Sequence, residues 1–282
     1  MKKIGIITDS SACLNLVGFE SKYVKIIDFI VNIDGIPHRI SKLDIDMFYR
    51  VLRENKELPT TAITSQQEII DMFNEFKDDG FEDVIVLTVS SKLSGSLNNV
   101  MGAIQEVDGI NIHVIDTLTT AYILGDAVVE AVTMIEAGKS VEVILAELNR
   151  MFENDDALIY VDTLKNLVKG GRMSGAVGIV GEVFKIKPIL RLAADGTVSP
   201  IAKFRTAKKA ISRLIDMYKE KTSGRKHKLY ILHSDNYEFV KGIAESIIST
   251  SKDIVSSIIT GITPVISTHT GPGAFAISWR YV

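Results

Sequence analysis

Hydroxyl, glycine and basic residues gather in four short stretches of this sequence, and each has the makings of an anion-holding turn. The first is Thr60-Thr61-Ala62-Ile63-Thr64-Ser65-Gln66, where a helix cap needs one hydroxyl and leaves others over. The second is Ser90-Ser91-Lys92-Leu93-Ser94-Gly95-Ser96. Ser94 beside Gly95 lets a hydroxyl and neighbouring N–H groups converge on one small anion, because glycine carries no side chain to block the approach. The third, Gly170-Gly171-Arg172-Met173-Ser174, sets a guanidinium on a turn, and the Gly175, Gly178, Gly181 spacing after it suits close helix packing. The fourth, Thr268-His269-Thr270-Gly271-Pro272-Gly273-Ala274, puts a histidine before an enforced turn. Taken singly, each has a plain structural explanation: a cap, a polar connection, a solvated arginine, a hydrogen-bonded histidine. Four serines in seven residues, however, exceed what capping needs.

Other chemistries find less support. Ser94, Asp116 and His269 fall in the chain order of the α/β-hydrolase triad, so a serine hydrolase is one alternative, although the G-x-S-x-G elbow is absent. A receptor for a small phosphorylated metabolite is another. The phosphate loop G-x-x-x-x-G-K-[ST], the G-x-G-x-x-G fingerprint and the H-E-x-x-H helix are missing, which leaves ATP, NAD and catalytic zinc without a motif. His38, His113, His227 and His233 lack ligand spacing, and no metal or cofactor is expected. Asp78-Asp79 and Asp155-Asp156 read as solvated charge at helix ends.

The elements that must position these stretches come from 282 residues, enough for about two domains. With 46% hydrophobic and 24% charged residues, the chain is expected to fold throughout. Its formal charge of −3 disfavours nucleic acid as a partner. A lone cysteine, Cys13, fits a reducing cytosol, and the N-terminus reads as lacking a secretory signal. No run of about 18 apolar residues suggests a membrane span. Contact with a membrane surface stays open.

Short β-branched runs alternate with helical patterns in the first half, which predicts βαβ units around a parallel sheet. Strands are expected at 4–8, 23–27, 30–33, 83–89 and 111–116, with Asp34-Gly35 as a hairpin turn. Helices are expected at 43–55, 66–79, from about 97, at 119–137 and at 141–154, with Ser65 and Glu68 at capping-box spacing and Gly138 as a stop. The second half reads as strands at 158–161, 164–168, 186–192, 197–203, 228–233 and 254–259, and helices at 206–221 and 239–249. Asp195-Gly196 marks a second hairpin.

In order and spacing, Thr8-Asp9-Ser10, Thr64-Ser65-Gln66, the Ser90 to Ser96 run, Asp116, the Gly170 to Ser174 run, Lys187-Pro188-Ile189-Leu190, Arg205-Thr206 and His269-Thr270-Gly271-Pro272-Gly273 form a series. The series resembles the DegV family of bacterial fatty-acid-binding proteins. Gln67 stands where the family often has proline, and Ser96 where it often has threonine. The resemblance implies an α/β fold of two domains. An N-terminal α/β/α domain with a parallel sheet would span 1–154, its hairpin near 23–40 packing on the second domain. A C-terminal domain with a mixed sheet would span 155–282. One long-chain fatty acid is expected between them, its carboxylate held by Thr64, Ser94 and His269, with Ser65 and Ser96 as neighbours and Arg172 near the acid end. The resemblance further implies a carrier without catalysis of its own, the substrate-presenting subunit of an ATP-dependent fatty-acid kinase in the cytoplasm.

Overall fold

The computed structural model describes residues 3–54, 57–173 and 186–282. In the first part, β1 (Ile4–Asp9), β2 (Val24–Ile27), β6 (Asp83–Thr88) and β7 (Asn111–Asp116) form a parallel sheet in the order β2-β1-β6-β7. Every residue of β1 and β6 is buried, because helices cover both faces. Ile7, Val84 and Val86 pack toward α1 (Ile45–Glu54), α2 (Gln66–Asp78) and α3 (Ser96–Ile104). Ile6, Ile85 and Leu87 point the other way, onto α4 (Tyr122–Glu136) and α5 (Val141–Glu153). Ser65 caps α2 as its spacing predicts, its Oγ accepting Glu68 N–H at 3.3 Å.

A second, antiparallel sheet, β4-β3-β5, joins β3 (Ile30–Ile33), β4 (Ile36–Arg39) and β5 (Thr60–Ala62). Its hairpin turn puts Asp34 and Gly35 at φ 50° and 80°, as a type I′ turn requires.

The second part is a six-stranded mixed sheet, ordered β10-β9-β8-β13-β11-β12. It comprises β8 (Asp155–Tyr160), β9 (Lys187–Leu192), β10 (Val198–Phe204), β11 (His227–His233), β12 (Ile254–Gly261) and β13 (Phe275–Tyr281). Only β11 and β12 pair in parallel. Leu158, Leu229, Ile231, Ile277 and Trp279 bury one face with α7 (Ala207–Thr222) and α8 (Tyr237–Ile248). Ala157, Tyr230 and Leu232 on the other face meet Tyr122 and Ile123 of α4. The architecture is therefore α/β, with a parallel sheet first and a mixed sheet second.

Three expectations change. Residues 164–168 are not a strand, because 165–169 form the short helix α6 (Lys165–Lys169). Leu164 and Leu167, three apart, are both buried, and Thr163 Oγ1 takes the Lys165 N–H at 3.2 Å, so the run obeys a helical period. Asp155 and Asp156 are not solvated at a helix end; they open β8 with side chains 7% and 9% exposed, each paired with an arginine. His269 does not merely precede a turn, since it sits in the last turn of α9 (Pro264–Thr270), and β13 follows unanticipated. Gly175, Gly178, Gly181 and Ser174 lie outside the described residues. Among the described residues, no helix is long and apolar enough to cross a membrane.

Candidate functional site

Three loops and helix ends converge beside the small antiparallel sheet. After β6 the chain turns sharply, with Leu93 and Ser94 N–H both donating to the Ser90 carbonyl at 2.9 and 3.1 Å. This turn presents the Ser94 hydroxyl, whose Oγ accepts Ser96 N–H at 3.2 Å while α3 begins. At the end of α6, Gly171 takes φ 71°, a conformation glycine adopts without strain, and the chain reverses. Arg172 then reaches across to the first part of the chain: its Nε donates to Leu93 O at 3.0 Å and its Nη1 to Gly170 O at 2.5 Å. Nη2 keeps no hydrogen bond among the described residues.

His269 arrives from α9 and shares a 2.9 Å hydrogen bond between Nε2 and Thr61 Oγ1 at the centre of β5. Its ring packs against Gly170, where a β-carbon would stand 2.4 Å from Nδ1. Contacts therefore run from Thr61 to His269, from His269 to Gly170, from Gly170 to Arg172, and from Arg172 to the Leu93-Ser94 turn. Burial, and then the positive charge of Arg172, push the His269 pKa down to about 4, so the imidazole is neutral at pH 7.

Thr61, Ser94, Arg172 and His269 all line one cavity of about 300 Å³. The rest of its wall is mostly hydrocarbon, including Phe29, Ile63, Leu93, Ile159, Leu190 and Val198. A smaller apolar chamber of about 60 Å³ adjoins it, sharing Thr120, Ile159, Ile266 and Thr270. Asp9 braces the wall from behind, its carboxylate accepting N–H groups of Val89 at 2.7 Å and Ser11 at 3.0 Å. Burial raises the Asp9 pKa to about 6. Such a site offers a long apolar surface with a few convergent donors, the arrangement of a pocket for an amphiphilic anion.

The expected residues divide. Ser94, Arg172 and His269 meet at the cavity. Thr64 is buried but turns away, its Oγ1 3.5 Å from Arg39 Nη1 and its carbonyl accepting Asn99 Nδ2 at 2.9 Å. Ser65 is occupied as the α2 cap, and Ser96 is buried with its Oγ unpartnered among the described residues. Neither of the two, nor Thr64, is among the residues lining the cavity. Thr61 stands there instead. It was legible only as part of the hydroxyl-rich 60–66 stretch; placing it required the β5 pairing of Thr61 with Val31.

The hydrolase alternative loses its geometry. Asp116 accepts the N–H groups of Ser91 and Leu118 at 3.1 and 3.3 Å, while His269 engages Thr61. No hydrogen bond joins any two of Ser94, Asp116 and His269 among the described residues, so no proton relay is assembled. Nor do three metal-ligating side chains cluster anywhere among those residues.

Comparison with known proteins gives a consistent result. Residues 3–282 match the family model described as "Uncharacterised protein, DegV family". A DegV domain-containing protein of Listeria innocua is 31% identical over 280 residues, covering 99% of this chain and 98% of that protein. The structure is also similar to three solved ones: a fatty acid binding DegV family protein of Streptococcus agalactiae (29% identity, 99% of both chains, TM-score 0.89); DegV, a fatty acid binding protein from Bacillus subtilis (29% identity, 100% of both chains, TM-score 0.89); and a DegV family protein of Thermus thermophilus described by its fatty acid binding (27% identity, 99% of this chain and 100% of that one, TM-score 0.89).

Proposed function

The chain belongs to the DegV family, and from that premise we propose that it carries one long-chain fatty acid in the cavity under Thr61, Ser94, Arg172 and His269. The observation that carries this reading is the convergence of those four side chains on a cavity otherwise walled by hydrocarbon. Burying a methylene is worth about 0.8 kcal/mol, so some fifteen of them contribute roughly 12 kcal/mol before association is offset. The hydrocarbon supplies affinity, and the head group supplies orientation. A buried carboxylate needs donors, which the Ser94 hydroxyl, the Arg172 guanidinium and the one proton left over by the Thr61–His269 hydrogen bond provide. Thr64 and Ser65 act one step back, fixing the β5–α2 junction that delivers Thr61.

The acid is then presented to a separate ATP-dependent kinase and phosphorylated to acyl phosphate, the carrier doing no chemistry alone. This reading is supported by the exposure of Gly171, the residue directly before the cavity-lining Arg172. Residues 1–154 and 155–282 act as two domains clasping the acid, since the cavity takes Phe29 and Leu93 from one and Leu190 and Val198 from the other. Cytoplasmic location and transient exchange with a membrane surface complete the proposal.

Mass spectrometry of lipid extracted from the native chain tests it. A stoichiometric acid of roughly 14 to 18 carbons is expected, the length whose burial supplies that energy. An empty extract or a phosphorylated metabolite would contradict it. Acyl phosphate should form only when kinase and ATP are added; ester hydrolysis by the chain alone, lost in Ser94→Ala, would overturn the carrier assignment.

A further inference from the structure

Ser90 opens the serine-rich run after β6, yet the binding of a carboxylate leaves it unused. It is fully buried and does not line the cavity. Its N–H donates to Thr119 O at 2.9 Å and its carbonyl receives the Leu93 and Ser94 turn. The hydroxyl faces elsewhere. Ser90 Oγ donates to the carbonyl of Gly196, 106 residues away, at 2.9 Å, and accepts Lys92 N–H at 3.2 Å.

Gly196 is the tip of the β9–β10 hairpin, at φ 81°. A β-carbon there would lie 2.2 Å from Ser90 Oγ and 3.2 Å from Leu118 Cα, so the tip is pressed onto the first part of the chain with no room for a side chain. Among the described residues, the Ser90 bond is the one hydrogen bond that ties 193–198 to residues before 154. Opposite charges on Lys92 and Asp195 act across the same junction.

The hairpin's own strands are unequally secured. On one side β9 pairs with β8, and Arg191 grips Asp156 through two 2.9 Å bonds. By contrast β10 is a sheet edge with an irregular register between Pro200 and Ala202. Both strands give a side chain to the cavity, Leu190 from β9 and Val198 from β10. Lifting the tip together with the start of the β10 edge, which opens the Val198–Leu192 pair, withdraws Val198 from the wall while β9 stays paired with β8.

We propose that the β9–β10 hairpin is a strap over the acyl cavity and that the Ser90–Gly196 hydrogen bond is its latch, whose breaking sets the rate at which fatty acid leaves. This rests on the fatty-acid reading above, and Ser90 acts as a positioning residue, through the hairpin.

Release of a fluorescent fatty acid from the full chain, followed by stopped flow against excess unlabelled acid, tests the strap. Ser90→Ala should raise the release rate about tenfold, the kinetic equivalent of one lost hydrogen bond. Gly196→Ala should raise it too, by driving its methyl into the hydroxyl. The double variant should be slower than the product of the two effects, because the methyl then meets no hydroxyl. Wild-type release in both single variants, or independent effects in the double, would overturn the strap. A wild-type chain that binds no probe would defeat the fatty-acid reading itself and the strap with it. The wild-type protein carries the test if a variant fails to fold: with acid bound, amide exchange at 193–197 should proceed at least as fast as release, and slower exchange would refute the latch.

Discussion

Two polar clusters lie between the first and second parts of the chain, and they are opposites in how far their bonding is satisfied. Beside α4, Arg280 is 2% exposed and fully engaged. It meets Asp155 through two bonds of 2.7 and 2.8 Å, Asp126 at 2.8 Å and Ile123 O at 3.0 Å. Tyr230 and Lys228 complete Asp126 at 2.8 and 3.2 Å. Every charge there has its countercharge. At the cavity lined by Thr61, Ser94, Arg172 and His269, a neutral histidine, two hydroxyls and a guanidinium meet no carboxylate among the lining residues, and Arg172 Nη2 has no acceptor among the described residues. Saturation marks the first cluster as a joint; the second, with a guanidinium that lacks a countercharge, is the one the proposed function assigns to an anion. The polar cavity of about 380 Å³ near Asp155, Asp156 and Arg191 belongs with the first, since those charges are already paired.

Breaking the joint should have the largest effect. Arg280→Met strands Asp155 without its partner and leaves Asp126 only Lys228 and Tyr230, and denaturant unfolding should show a loss of about 3–5 kcal/mol. An unchanged midpoint would mean that the cluster is not a joint.

Acid should separate the two regions next. A histidine depressed from 6.5 to about 4 binds its proton in the unfolded chain first, so its share of stability is present above pH 6.5 and lost as pH falls toward 4. The Asp155 carboxyl, raised by burial to about 6, acts with the opposite sign and favours the fold as pH falls from 6 to 3.8. Subtracting His269→Gln from wild type isolates the histidine: the difference should reach up to about 3 kcal/mol across that window and be flat above pH 7. A flat difference throughout would show that His269 is not held in a desolvated, cationic setting.

Smaller effects should appear at the receptor. Thr61→Ala, Ser94→Ala and His269→Ala should each weaken fatty-acid affinity by about 1–3 kcal/mol in titration calorimetry, with little change in unfolding. Thr64→Ala should alter affinity less than Thr61→Ala; the reverse order would move the head group one residue along the chain. Least of all, Gly170→Ala removes no polar group yet displaces His269, and a loss of about 1 kcal/mol in affinity is expected.

The joint was hidden in the sequence and the receptor only half hidden, for a physical reason. Asp155-Asp156 beside Asn154 looked like solvated charge, because the arginine that neutralises Asp155 lies 125 residues away on β13. The strand β13 went unread as well, although Phe275, Ile277 and Trp279 alternate along it as a strand requires. Local signals served where local physics decides: continuous apolar runs gave β1 and β6, Ser65 with Glu68 gave the start of α2, and Asp34-Gly35 and Asp195-Gly196 gave both hairpins. In contrast, α6 was lost because five residues carry too little periodicity to separate helix from strand. The loops bearing Ser94, Arg172 and His269 were recognisable by composition. Selecting Thr61 over Thr64 depends on which hydroxyl faces His269, and only the pairing of β5 with β3 decides that.

In the proposed function, Thr61, Ser94, Arg172 and His269 receive the head group of a fatty acid. NMR of palmitate labelled with carbon-13 at its carboxyl, bound to the full chain, addresses it directly. The carboxyl resonance should move on His269→Gln and again on Thr61→Ala, and stay in place on Lys228→Met at the saturated cluster. A resonance indifferent to the first two substitutions, or displaced by the third, would contradict the account.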